Sequence, residues 1–93
     1  MSFITLTRAE APYGEHEDVL VNPAHVAEVR VITYYAMQDR PARALLLLRF
    51  PEGNGLSVLA LDTNGGPLKQ TAAAQLDPGK LLHLFNQAVR SVS

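Results

Sequence analysis

Residues 44–62 read ALLLLRFPEGNGLSVLALD, and this stretch decides the fold. Two apolar runs, 44–50 and 56–62, flank the segment 51–55, which holds one proline and two glycines. Successive side chains of a strand point to opposite faces, so each run is apolar on both of its faces. The stretch therefore predicts an antiparallel β-hairpin with a glycine-containing loop.

Three further segments, residues 2–8, 18–21 and 26–37, have the alternation and the β-branched residues of strands. The third segment is long for one strand, so we expect a bend or a bulge within it. Its more apolar face, which we expect to point towards the core, consists of Val29, Val31, Thr33, Tyr35 and Met37. Residues 38–43 read as a connection.

Two dipeptides, Asn22-Pro23 and Asp77-Pro78, have the cap followed by proline that begins a helix. After Pro23 we expect a single turn, and after Pro78 a C-terminal helix of three to four turns. Residues 68–74 are ambiguous, with a short edge strand as one interpretation. One apolar stripe along the C-terminal helix is formed by Leu81, Leu82, Phe85, Ala88, Val89 and Val92.

A single helix can cover only one face of a small sheet, so the central hairpin has surplus apolar surface. The sheet can curl into a small barrel, or its second face can pair with another copy of the chain, and both can hold together. We therefore predict an α+β, mostly β fold: a strongly bent five-stranded antiparallel sheet or a small barrel with a C-terminal amphipathic helix. The expected self-association residues are Leu45, Leu47, Leu59 and Leu61.

The composition limits the class of protein. A chain of 93 residues makes one domain, β-rich over 1–76 and helical over 77–92. Hydrophobic residues make up 47% and charged residues 18%, which excludes disorder. The chain has no Cys and no long apolar run, which excludes disulfides and a membrane-spanning helix. No signal-peptide pattern is present, so we expect a cytoplasmic protein.

The charge is small overall but unevenly distributed. A net charge of −1 gives no whole-surface attraction to nucleic acid or to a membrane. Residues 9–28 carry only acidic charges, whereas residues 30–49 carry four arginines against Asp39 alone. These charges form either two solvated faces, or surfaces for complementarity between subunits or a modest basic binding patch.

No group of residues predicts an enzyme. His16 lies among carboxylates in an acidic loop, but the spacing fits no metal motif, and neither His25 nor His83 accompanies a nucleophile. The glycines at 53–55 and 65–66 suit turns and not phosphate loops. We therefore expect no catalysis, no metal and no cofactor.

An arginine and tyrosine face is the best candidate for a contact surface. Aromatic rings with arginine on a sheet anchor protein interfaces and also stack unpaired bases. The expected partner-binding residues are Arg30, Tyr34, Arg40 and Arg43. The leading interpretation is a non-catalytic bacterial interaction module that self-associates and binds a protein partner. The alternative is a variant Sm-like RNA-binding protein that uses the same residues.

The order of motifs resembles a known family. Residues 4–8, ITLTR, are followed by VLVNP at 19–23 and by an extended segment from Val26. This order is similar to that of the FlbD-type small flagellar proteins, which end in a hairpin and a short amphipathic helix, and it implies a flagellar role. The bent strand followed by an apolar hairpin is also similar to the small Sm-like and SH3-like barrels, which often form rings.

Overall fold

The computed structural model describes residues 2–9 and 17–92. These residues form an α+β fold with two small antiparallel sheets, one 3₁₀ turn and two helices. None of the helices among them is long and apolar enough to cross a membrane. The elements are β1 (Ile4–Thr7), β2 (Asp18–Val21), a 3₁₀ turn (Pro23–His25), β3 (Glu28–Tyr34), β4 (Arg43–Arg49), β5 (Gly55–Val58), α1 (Gln70–Ala73) and α2 (Pro78–Val92).

The strands divide into a two-stranded sheet, β1–β2, and a three-stranded sheet in the order β3–β4–β5. Within residues 2–9 and 17–92, a single bridge between Arg8 and Val58 links them, flanked by a hydrogen bond of 2.8 Å from the Leu59 N–H to the Thr7 carbonyl. The prediction of one five-stranded sheet or a small barrel is therefore wrong for the described residues. The contact between β1 and β5 is too short to merge the two sheets or to close them.

The central hairpin is confirmed, but its return strand ends at Val58 and not at residue 62. Leu46 lies opposite Val58 and Leu48 opposite Leu56, so the strands β4 and β5 pair as the alternation predicts. Gly53 has φ of +97°, a conformation that residues with a side chain rarely adopt, which explains the glycine in this loop. The 3₁₀ turn is also confirmed, because the Asn22 Oδ1 accepts a hydrogen bond of 3.0 Å from the Ala24 N–H.

One hydrophobic core joins both sheets and both helices. Helix α2 begins at Pro78, as predicted, and packs against β3 and β1. Leu81 and Phe85 are buried, and Leu84, which the predicted stripe omits, is buried as well. The rest of the stripe packs half-buried against the core.

The surplus of apolar surface is smaller than the sequence predicts. Leu45 and Leu61 are only 2% and 1% exposed, so the expectation that they face outwards is wrong. Leu47 and Leu59 are half-buried. The physical reason is added cover: residues 70–73 form helix α1, which packs against β4 and contributes to the core.

Candidate functional site: the tip of the β3–β4 hairpin

The hairpin of β3 and β4 continues beyond the ends of both strands. Tyr34 lies opposite Arg43, and the same register brings Met37 opposite Arg40. The Met37 N–H donates to the Arg40 carbonyl at 2.8 Å, and the Arg40 N–H donates to the Met37 carbonyl at 3.2 Å. The chain therefore reverses over two residues, 38 and 39. We call residues 33–43 the hairpin tip.

The tip extends past the hydrophobic core. Val29 and Val31 pack against the core cluster, but Thr33 is exposed. Further along the same face, Tyr35 is 85% exposed and Met37 is 71% exposed. The expectation that these two side chains face the core is wrong, because the hairpin continues where no helix or second sheet covers it.

An open groove of about 500 Å³ lies along the tip. Within it the Arg43 guanidinium carbon lies 4.8 Å from the centre of the Tyr34 ring, which is a cation–π contact. This contact holds a planar cation in a defined orientation at the surface. The residues that line the groove include Tyr34, Tyr35, Met37, Arg40, Pro41 and Arg43.

The two arginines of the tip have no acidic partner among the described residues. Elsewhere Arg8 pairs with Glu17 at 3.3 Å, and Arg30 pairs with Glu28. The guanidinium groups of Arg40 and Arg43 have no such ion pair within residues 2–9 and 17–92. The groove therefore combines exposed aromatic rings, a thioether and two guanidinium groups that can donate hydrogen bonds to a carboxylate.

Three of the four predicted partner residues meet in this groove: Tyr34, Arg40 and Arg43. Arg30 does not, because it lies further back on β3 and pairs with Glu28. Sequence reasoning missed Tyr35, Met37 and Pro41, which line the same groove.

The histidines form no site in the described part of the chain. His25 ends the 3₁₀ turn and is exposed, and His83 is exposed on α2. His16 and the acidic loop around residues 10–16 lie outside the described residues. Residues 2–9 and 17–92 contain no group of three acidic or histidine side chains that could hold a metal ion.

A second opening, of about 350 Å³, lies between the 62–65 turn and helix α2. Its one carboxylate is Asp62, whose Oδ1 accepts hydrogen bonds from the Asn64 and Gly66 N–H groups at 2.8 and 2.9 Å. This carboxylate therefore stabilises its own turn, and the cleft offers much less to a ligand than the hairpin tip does.

A free sheet edge lies next to the tip. Strand β3 has seven residues and, among the described residues, pairs only with β4. The edge of the other sheet, β2, has four residues. Strand β3 contains no proline and no glycine, so the outward backbone N–H and C=O groups along this edge are available to pair with another strand.

Comparison with protein-family models, with curated proteins and with solved structures found no match. The similarity to the FlbD-type proteins and to the Sm-like barrels therefore remains a prediction from the sequence. The candidate surfaces for a contact are the hairpin tip and the free edge of β3.

Proposed function

We propose that the chain is a non-catalytic bacterial interaction module that self-associates and binds an acidic segment of a partner protein at its hairpin tip. The observation that carries the proposal is the groove itself, where two arginines without an acidic partner among the described residues lie beside exposed tyrosine and methionine side chains. The cytoplasmic location predicted from the sequence is part of the proposal.

The chemistry of the groove favours a protein segment. Tyrosine, methionine and arginine are the residue types enriched in the centres of protein interfaces. A guanidinium binds a carboxylate through two parallel hydrogen bonds. The guanidinium of Arg43 is already oriented by its stacking on Tyr34. An extended segment with acidic and apolar side chains in alternation would therefore meet both the cations and the exposed rings.

Single-stranded RNA fits the groove less well. Proteins that bind it stack successive bases on exposed aromatic rings. One face of the Tyr34 ring is already covered by Arg43, which leaves Tyr35 as the largely exposed ring of the groove. With a net charge of −1, the chain also has no general attraction to a phosphate backbone.

Self-association is supported by the free edge of β3, since long exposed edges pair with other strands unless charge, proline or a bulge prevents it. The half-buried side chains of Leu47 and Leu59 are what remains of the predicted apolar face.

Fluorescence anisotropy with labelled peptides tests the binding proposal. We expect a peptide of glutamate and leucine to bind more tightly than the matched lysine and leucine peptide. Arg40→Ala should weaken binding about tenfold, the loss expected for one charge-assisted contact. Lys80→Ala removes an exposed charge on α2 and should leave binding unchanged.

Two outcomes would contradict the proposal. Equal binding of the two peptides, or an equal loss in Arg40→Ala and Lys80→Ala, would remove the tip as a specific site. Tight binding of a labelled oligouridine, with an affinity that falls steeply with salt, would assign the tip to RNA instead.

A further inference from the structure

The most acidic stretch of the chain is residues 10–18, EAPYGEHED. It carries four of the nine acidic residues of the sequence, and residues 9–28 contain no lysine or arginine. The hairpin tip has the opposite character, because Arg40 and Arg43 line its groove and its one acidic residue, Asp39, does not. The chain therefore contains both the groove and a segment of the class that the groove fits.

The strand register fixes where the acidic segment joins the fold. Arg8 bridges Val58, and Val58 lies opposite Leu46, so Arg8 is level with Leu46 of β4. The Arg8 N–H donates to the Glu17 carbonyl at 2.8 Å, so the chain leaves and rejoins the sheet at this level. Because the bridge is antiparallel, the chain at Arg8 runs towards the loop at 51–54, which is the opposite end of the sheet from the tip.

The acidic segment and the groove of one copy are too far apart to meet. Glu10 and Glu15 each lie within two residues of the described chain, which is at most about 7 Å of backbone. Arg40 lies six residues beyond Leu46 along β4 and its extension, which is about 20 Å. Arg43 stacks over a ring of β3, on the side of β4 that faces away from β1. The groove is therefore open to a segment from another molecule.

We infer that the acidic segment bound at the hairpin tip is residues 10–16 of a second copy. This inference rests on the proposed binding of an acidic segment and names that segment. Each copy offers one groove and one segment, so the contact is head to tail. It closes into a ring or continues as a filament according to the rotation between successive copies.

The side chains of the segment match those of the groove in kind. Glu10 and Glu15 can each accept two parallel hydrogen bonds from a guanidinium of the groove. Between them in the sequence, Pro12 and Tyr13 offer apolar and aromatic surface to Tyr35, which is 85% exposed, and to the neighbouring methionine. One stretch of this chain therefore supplies both kinds of group that the groove binds.

Fluorescence anisotropy with a labelled peptide of residues 9–18 tests this pairing on the full chain. We expect the peptide to bind at least about tenfold more tightly than a matched peptide whose four acidic residues are replaced by glutamine and asparagine. Arg40→Ala should weaken its binding about tenfold, whereas Lys80→Ala on α2 should leave it unchanged. The affinity should fall as salt rises, because exposed charges are screened.

Carbodiimide cross-linking shows whether the contact joins two copies. Arg40→Lys places an amine in the groove, and we expect it to couple to Glu10 or Glu15. In an equal mixture of nitrogen-15-labelled and unlabelled protein, mass spectrometry should find cross-links with one labelled and one unlabelled half. Arg30→Lys, outside the groove, is the matched control and should give no cross-link to these two glutamates.

The outcomes separate the inference from the proposed function. If the glutamate and leucine peptide binds at the tip but the peptide of residues 9–18 binds no better than its matched control, the inference is wrong and the proposed function stands. If neither peptide binds, both fall. If no cross-link from position 40 combines a labelled with an unlabelled half, the head-to-tail contact is wrong.

Discussion

Replacing Leu46 by alanine tests the register of β4, on which both the tip and the edge depend. Leu46 has no exposed surface and lies between Val31 on one neighbouring strand and Val58 on the other. A leucine enclosed on both sides leaves a cavity when it is truncated, because the neighbouring strands cannot close around the gap. Such substitutions lower the free energy of unfolding by about 3–4 kcal/mol.

That loss is large for a chain of this size. A domain of 93 residues has a free energy of unfolding of about 5–14 kcal/mol. At about 4–8 °C for each kcal/mol, Leu46→Ala should lower Tm by about 12–32 °C. Leu47→Ala is the matched control: the side chain is half-buried on the opposite face, so we expect a loss of about 1 kcal/mol and about 5 °C.

Circular dichroism during heating and during urea titration would measure both variants. The expected order is wild type, then Leu47→Ala, then Leu46→Ala, with unchanged m values. If Leu47→Ala were as destabilising as Leu46→Ala, or more so, the faces of β4 would be assigned the wrong way round.

Three further substitutions have expected outcomes. Gly53→Ala should lower stability by about 1 kcal/mol in a thermal melt, because φ is +97° there and nothing lies within 4 Å of an added Cβ, so strain acts alone. Asp62→Ala removes the acceptor of two backbone N–H groups and should lose about 1–2 kcal/mol, whereas Asp62→Asn should recover most of it. Arg43→Lys keeps the charge but not the planar stacking on Tyr34, so peptide affinity should fall about three- to tenfold; an unchanged affinity would show that the stacking does not matter.

The sequence predicts those parts of the fold whose signals are local. The alternation and the turn residues of 44–62 specify the central hairpin, and the Asn22-Pro23 and Asp77-Pro78 dipeptides specify where a turn and a helix begin. The helix at 70–73 has no such signal. It spans four residues, and its N-cap residue, Lys69, makes no side-chain hydrogen bond to the helix.

The candidate site was predicted only in part for a similar reason. The period of two assigns Tyr34 and Tyr35 to opposite faces, one of them towards the core, but both rings are exposed and line the groove, because alternation does not show where the core ends along a strand. The reversal at residues 38 and 39 also lacks the Asn-Gly or Asp-Gly pair typical of a two-residue hairpin turn, so the segment reads as a loop. The exposure of Tyr35 and Met37 follows from the length of the hairpin relative to the core.

Amide hydrogen exchange along β3, followed by NMR at several protein concentrations, tests the central claim most directly. In dilute protein, the amides of Arg30 and Ile32, which point towards β4, should be protected, whereas those of Val29, Val31 and Thr33 should exchange rapidly. At high concentration, the amides of Val29, Val31 and Thr33 should become protected as well. Fast exchange of these three amides at every concentration would contradict pairing between copies, and their protection in dilute protein would show that the edge is already covered within one chain.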